Sequence, residues 1–333
     1  MLSTIYAAVA RRRREFYAAR PDRRKRLRHP VISVGNLAVG GRGKTPVVAA
    51  IARLLLEMGE RPAILTRGYA RRRADAGVVI VRDPHDLRAD LDRAGDEPLM
   101  LARQLPGVSI LASSDRYLAG CLAERHLGAT VHLLDDGFQH LQLDRDVDLV
   151  IVAGEDLDEH ARTLPFGRLR EPVDTLLAAT AVLAVDEQVF ARGPDPKHAP
   201  FETFRLKKSV GGAIGDVHAG GAAIAVAGIA QPQRFFDDLR GAGHEIAQTL
   251  AFRDHHPYSR RDLASMYASA RAVGAVRVLT TEKDYVRMLP FRPFALPVAW
   301  IPLTVEPDPS SEFRAWLARQ LDEARDIVHP SVA

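Results

Sequence analysis

The residues best suited to chemistry are Gly40-Gly41-Arg42-Gly43-Lys44-Thr45, set between a β-branched run ending near Gly35 and an amphipathic stretch that begins at Lys44. Glycines in such a loop let backbone N–H groups turn inward on an oxyanion, and the helix start adds positive potential. In that setting Lys44 reaches the outer phosphates of a nucleotide and the Thr45 hydroxyl ligates Mg2+. The strict phosphate-loop pattern has glycine at position 38, where this chain has Ala38. A magnesium-bound nucleotide also needs an acid at the end of a neighbouring strand. VHLLDDGFQH, residues 131–140, ends its apolar run in Asp135 and Asp136, although paired aspartates there could equally open a turn. Loop and acids together predict nucleotide hydrolysis or phosphoryl transfer using ATP and Mg2+, and leave the acceptor open.

Positioning these groups requires strands that end at one edge and helices that cover them. From His29 onward, short β-branched runs alternate with amphipathic stretches, which predicts a mostly parallel α/β sheet, P-loop NTPase-like, with helices on both faces. Strands are expected at 31–35, 62–66, 77–81, 108–112, 131–135, 147–152 and 181–185, with helices at 44–58 and 115–127. The rhythm breaks over 186–221, where Pro194, Pro196, Pro200 and glycines 211, 212, 215, 220 and 221 collect. A second, smaller α/β unit follows, with strands at 222–227, 245–251, 276–280 and 297–301 and helices at 231–242, 260–273 (capped by Ser259) and 311–325. The expected domains are an arm at 1–29, a P-loop domain at 30–200, a linker at 201–221 and a closing domain at 222–333.

The net charge of +4 is unevenly spread. Residues 1–30 carry ten Lys and Arg against Glu15 and Asp22, a local charge of +8, so the rest of the chain stands at −4. Basicity therefore belongs to the arm, and the body gives no reason to expect nucleic acid. Leu2, Ile5, Tyr6 and Val9 lie at helical spacing just before the arginine run. That pattern suits an interfacial helix, with side chains at the acyl boundary and arginines on anionic headgroups, although composition alone also fits a basic solvated helix or a disordered tail. It is too short to span, and no apolar run reaches the roughly 18 to 20 residues a spanning helix needs. The single Cys121 offers no disulfide framework and suits a reducing cytoplasm.

Seven segments carry a more specific signal: VISVGNLAVGGRGKTP (31–46), LTRGY (65–69), GDEPLMLAR (95–103), LDDGFQH (134–140), GRLREP (167–172), FRDHHPYS (252–259) and LTTEKD (279–284). In this order, over residues 29 to 290, the chain closely resembles the tetraacyldisaccharide 4′-kinases, the lipid A 4′-kinases. The resemblance implies transfer of the ATP γ-phosphate to the 4′-hydroxyl of a tetraacylated disaccharide 1-phosphate. It implies Asp96 as base for that hydroxyl and His255 as its orienting partner, with Lys44 also catalytic. His255 is favoured over His256 as the histidine directly after Asp254. It also implies that Arg67, Arg116, Gln139, Arg170 and Glu171 lie near the nucleotide or the reacting phosphates. On the residues alone, Asp96 could serve as a helix cap and each arginine as a surface ion pair. Lys283 could reach the nucleotide across a cleft or simply be solvated. Because four acyl chains keep the implied substrate in a bilayer, the expected location is peripheral, on the cytoplasmic face of the inner membrane. The expected partners are the lipid A precursor and that anionic surface.

Two other readings compete. A cytosolic P-loop ATPase or GTPase of the metalloenzyme-maturation or DNA-partition type shares the GG-x-GKT loop but needs no DHHPY segment or interfacial arm. A basic-arm nucleic-acid binder would use residues 11–28 on phosphates, with steep salt dependence.

Overall fold

The computed structural model describes residues 2–40, 43–68, 71, 77–193, 199–216 and 221–328. In chain order its elements begin with α1 (Leu2–Ala18), β1 (Val31–Asn36), α2 (Lys44–Glu57), β2 (Pro62–Thr66), β3 (Val79–Arg82), α3 (Leu91–Ala94), α4 (Asp96–Gln104), β4 (Ser109–Ala112), α5 (Arg116–Leu127), β5 (Val131–Asp135), β6 (Val147–Val152) and β7 (Ala181–Ala184). They continue with α6 (Gln188–Arg192), β8 (Glu202–Val210), β9 (Ile214–Gly215), β10 (Ala223–Ala227), α7 (Pro232–Gly241), β11 (Ile246–Ala251), α8 (Arg260–Ala272), β12 (Arg277–Thr281), α9 (Glu282–Met288), β13 (Val298–Ile301), β14 (Leu303–Asp308) and α10 (Ser310–Val328).

Nine strands form one sheet in the order β14-β8-β7-β6-β1-β5-β2-β4-β3, parallel except for β3 and β14 at its two edges. Side chains alternate across it as strand geometry requires. Ile32, Val34 and Ile64 face a core completed by α2, α4 and α10. Val31, Ala63 and Leu65 face the opposite side and pack with Ala119 and Ala123 of α5. The sheet is thus covered on both faces. Strand β1 lies between β5 and β6, so the chain leaves its carboxyl end at the point where strand order reverses, the crevice in which such sheets take ligands. In the β1–β5 register Val34 pairs with Asp135, so the glycine loop and the two acids emerge side by side.

Five strands form the second sheet, β11-β10-β12-β13-β9, parallel except for β9. The boundaries differ from the expected ones at both ends of this unit. The segment expected as a linker, 201–221, contains β8, which extends the first sheet beside β7. Only Leu206 of this strand is fully buried, so its apolar signal is weak. The segment 222–333 does not form the second unit throughout. After β13, β14 pairs antiparallel with β8, and α10 sends Phe313, Trp316, Leu317 and Leu321 into the core of the first sheet. The chain therefore crosses between the two sheets twice.

Helix α1 has no buried residue, and Leu2, Ile5 and Val9 are 56%, 55% and 62% exposed. Among the described residues, no helix is long and apolar enough to cross a membrane.

Candidate active site

The glycine loop uses backbone conformations that a side chain would strain. Gly40 has φ of 106° and Gly43, the residue before α2, has φ of 75°. Gly41 and Arg42, expected to cradle phosphate, lie outside the described residues. Lys44 and Thr45 occupy the first turn of α2, where free backbone N–H groups gather. Lys44 Nζ lies 3.2 Å from Asn36 Oδ1 and 3.6 Å from Asp136 Oδ1. Arg170 completes the cluster: Nη1 donates to Asp136 Oδ2 at 2.8 Å, and Nη2 donates to Asp136 Oδ1 at 2.7 Å, to the Asn36 carbonyl at 3.0 Å and to Asn36 Oδ1. Gln139 Nε2 donates to the same carbonyl at 3.1 Å.

Asn36, fully buried at the end of β1, is thus the hub of this group, and sequence reasoning did not single it out. Its Nδ2 is buried without a hydrogen-bond partner among the described residues, a donor ready for an oxyanion. The signal was its position as the last strand residue before the glycine loop. Asp136 has φ of 62°, a left-handed turn that brings its carboxylate back over the crevice. Burial works against its charge, but Arg170 and Lys44 outweigh burial and hold its pKa below the usual carboxylate range.

Asp135 is different. It is buried, and burial, Glu97 and Asp136 push its carboxyl up to about 7 against the smaller opposing pull of Lys44 and Arg116. Asp135, Asp136 and Glu97 thus repel one another, beside Thr45 at the adjacent helix start. Among the described residues no group of three or more His, Cys, Asp or Glu is placed to hold a metal ion. Mg2+ takes only one or two carboxylates and keeps waters and phosphate oxygens in its shell.

Arg116, the first residue of α5, is buried, and its Nη1 donates to the Ser114 carbonyl at 3.2 Å. Burial and the nearby Arg67 lower its pKa, while Asp135 and Asp136 pull the other way. Glu171 does not join the phosphate cluster. Arg14 of α1 holds it at 2.5 Å, stacks 4.2 Å over the Phe138 ring and donates to the Phe138 carbonyl at 3.2 Å.

The second constellation bridges the two units. Asp96 is the first residue of α4, after Gly95 with φ of 84°, so Gly95 and not Asp96 is the cap residue. Asp96 is buried, and its Oδ1 accepts the Glu97 amide at 2.9 Å. Its Oδ2 meets His255 Nδ1 at 2.8 Å and Arg287 Nε at 2.7 Å. His255 has φ of 55°, which turns its ring toward Asp96. His256 instead packs against Phe252 and Tyr258 and faces Asp262 at 3.3 Å. Lys283, considered for the nucleotide, bonds Glu97 at 2.8 Å and lies 3.0 Å from His255 Nε2. An ammonium only donates, so His255 Nε2 accepts and Nδ1 carries the proton that it gives to Asp96. Burial raises the Asp96 pKa, but the His255 bond and the charges of Lys283 and Arg287 prevail and hold it well below the usual carboxylate range. Glu97 joins the two constellations, since it meets Lys283 on one side and raises Asp135 on the other.

A glycine loop at a switch point, a lysine at the helix start and strand-end carboxylates, with a buried aspartate met by a histidine of the second unit, define a P-loop phosphotransferase. Residues 1–322 match the profile of the tetraacyldisaccharide-1-P 4′-kinase family. The tetraacyldisaccharide 4′-kinase of Geobacter metallireducens is 38% identical over 87% of this chain and 88% of its own. That of Rhodopseudomonas palustris is 37% identical over 98% of this chain and 92% of its own. The solved structure of LpxK from Aquifex aeolicus in complex with ATP superposes with a TM-score of 0.77 at 30% identity, covering 96% of this chain and 97% of that one. The chain belongs to the tetraacyldisaccharide-1-P 4′-kinase family.

Proposed function

We propose that the chain transfers the γ-phosphate of ATP to the 4′-hydroxyl of a tetraacyldisaccharide 1-phosphate, a lipid A precursor, with Asp96 as the base for that hydroxyl. The observation that carries this reading is the 2.8 Å contact between Asp96 Oδ2 and His255 Nδ1, made across the two units beside the glycine loop. Lys44, the Asn36 amide and Arg170 are the donors for the phosphates, and Arg116 adds positive charge nearby. Thr45 and Asp135 would hold Mg2+, with Asp136 released from Arg170 as a second acid. Magnesium, when bound, offsets the charge that gathers on the transferring phosphoryl oxygens.

Asp96 stays ionised at neutral pH, so it accepts a hydrogen bond from the sugar hydroxyl and takes the proton as the O–P bond forms. A weak base suffices because the transition state is loose and the hydroxyl loses its proton late. His255 holds the carboxylate by its Nδ1–H. Because Asp96 and His255 come from different units, closure of the two assembles the base only when the cleft is shut, which limits wasteful hydrolysis.

The exposed stripe of Leu2, Ile5 and Val9 on α1, followed by the exposed Arg11, Arg12 and Arg13, supports adsorption to an anionic bilayer at the cytoplasmic face of the inner membrane. Thr163 Oγ1 donates to the Ser3 carbonyl at 2.7 Å, and Phe166, three residues further on, is 71% exposed.

The test is transfer of labelled γ-phosphate from MgATP to a tetraacyl disaccharide 1-phosphate in mixed micelles. Labelled lipid that is lost in both Asp96→Ala and Lys44→Ala is the expected result. No labelled lipid, with ATP hydrolysis persisting in Asp96→Ala, would favour a P-loop ATPase instead.

A further inference from the structure

We propose that Arg287 is a positioning residue for the base: it carries the second unit's grip on Asp96 and fixes which oxygen meets the sugar hydroxyl. This rests on the reading of Asp96 as the base. Arg287 lies on α9, and its side chain and that of Asp96 are each 5% exposed. Its Nε donates to Asp96 Oδ2 at 2.7 Å, while Nη1 donates to the Gly228 carbonyl and to Asp284 Oδ1, each at 2.9 Å. Asp284 is wholly buried and anchors the guanidinium from behind. It accepts the Gly228 amide at 3.0 Å, the Tyr258 hydroxyl at 2.9 Å and the Thr281 hydroxyl at 2.6 Å. The packing admits only glycine at 228, where a Cβ would lie 2.9 Å from Asp284 Oδ1 and 3.1 Å from the Tyr258 hydroxyl. Of the five N–H groups of this rigid guanidinium, Nη1 gives two behind and Nε gives one forward to the first unit, while Nη2 is buried without a partner among the described residues.

The consequence for Asp96 is geometric. Oδ2 receives both the Arg287 Nε–H and the His255 Nδ1–H, which occupies its lone pairs. Among the described residues Oδ1 receives only the Glu97 amide and so keeps a lone pair for the incoming hydroxyl. Two donors on one oxygen set the plane of the carboxylate, where the histidine alone would leave it free to swing about a single bond. The charged groups that face Asp96 are His255 and Asp254 from the loop after β11, Lys283, Asp284 and Arg287 from α9, and Glu97 on its own helix. Of these, Arg287 is the cation in direct contact.

The experiment is a cycle in the full chain, Arg287→Gln and Asp96→Asn singly and together, with lipid phosphorylation measured in mixed micelles. Arg287→Gln is expected to lower kcat about 100-fold, the scale of a lost orientation. KM for MgATP should stay within about twofold. In Asp96→Asn the same substitution should cost no more than about threefold, because Arg287 acts through Asp96. Equal losses in the two backgrounds, or a loss confined to KM for MgATP, would each overturn the role. If Arg287→Gln does not fold, Arg287→Lys keeps a cation beside Asp284 and is run through the same cycle. It should lower kcat only in the Asp96 background. Wild-type kcat in Asp96→Asn would remove the base itself, an outcome distinct from equal losses at Arg287.

Discussion

Arg14 is expected to decide whether the N-terminal helix stays on the enzyme. Helix α1 buries no residue of its own, so its docking rests on polar contacts. Arg11 meets Asp174 at 2.8 Å, but both side chains are about half exposed, and such a pair contributes about 0–1 kcal/mol. Arg14 is different in kind: the Arg14 and Glu171 side chains are 13% and 4% exposed. Arg14→Ala leaves Glu171 charged, buried and unpaired, which costs about 3 kcal/mol at the lower end of the range for a broken buried pair. Loss of the stack on Phe138 adds about 0.5–1 kcal/mol. At 1.4 kcal/mol per decade, the docking equilibrium of α1 falls by at least about 100-fold. A free helix of this length is marginal in water, so it frays once undocked. Amide hydrogen exchange reads this directly: α1 amides should lose about two decades of protection while those of β1 and β5 keep theirs. Adding Glu171→Gln should recover most of the loss, because the unpaired charge is its main cause. Unchanged α1 protection, or an equal fall in β1 and β5, would refute the assignment of α1 docking to this pair.

Three further outcomes follow from the packing. Burial, aided by Arg116, Arg145 and Arg13, lowers the His140 pKa to about 4. An unfolded chain therefore takes up a proton that the folded one refuses, so stability is full above the unfolded pKa near 6.5 and falls as pH drops toward 4, by about 1–2 kcal/mol for this partly exposed ring. His140→Gln should flatten the acid side of a Tm-versus-pH curve, and an unchanged slope would exclude His140 as its source. At Gly35, an added Cβ would stand 2.4 Å from the Phe138 Cβ and 2.9 Å from its amide nitrogen. Gly35→Ala should cost about 1–3 kcal/mol in urea and raise KM for ATP, since Asn36 and Gln139 flank the contact. Ending the chain at Asp308 removes Phe313, Trp316, Leu317 and Leu321 from the first core and should abolish cooperative unfolding of the P-loop sheet. A native melting curve without α10 would contradict that packing.

Most of the first sheet was legible because its strands are buried on both faces, and such strands read as continuous apolar runs. β2, β5 and β6 fall at the expected residues. Failures came where burial is one-sided. β8 keeps only Leu206 fully inside and sits among prolines and glycines, so it read as a linker. β14 and α10 read as part of the second unit because sequence order does not say to which sheet a chain returns. The same holds for the site. Lys44, Thr45, Asp135 and Asp136 carry their chemistry in local spacing. Asp96, His255 and Arg287 lie up to 191 residues apart, and only the fold brings them together. Lys283 was visible in the LTTEKD segment, but nothing local says what it meets, and Arg287 was not singled out.

The two crossings between the sheets bear on how closure can work. A single linker would let the second unit swing freely, and the base would then be assembled by a long search. Here the chain passes from β8 to β9 and back from β13 to β14, and β8 and β14 are themselves paired over six residues. The paired strands form a two-stranded tether rooted at the edge of the first sheet, which would restrict the second unit to rocking about it. Across the cleft, α4 and α9 meet through Gln104 with Glu282, Glu97 with Lys283 and Asp96 with Arg287. These contacts run along the length of both helices. A rocking of the second unit on that tether would make or break them as a set, with the base either fully held or released. Such an arrangement would serve a kinase whose ATP is free to react with water.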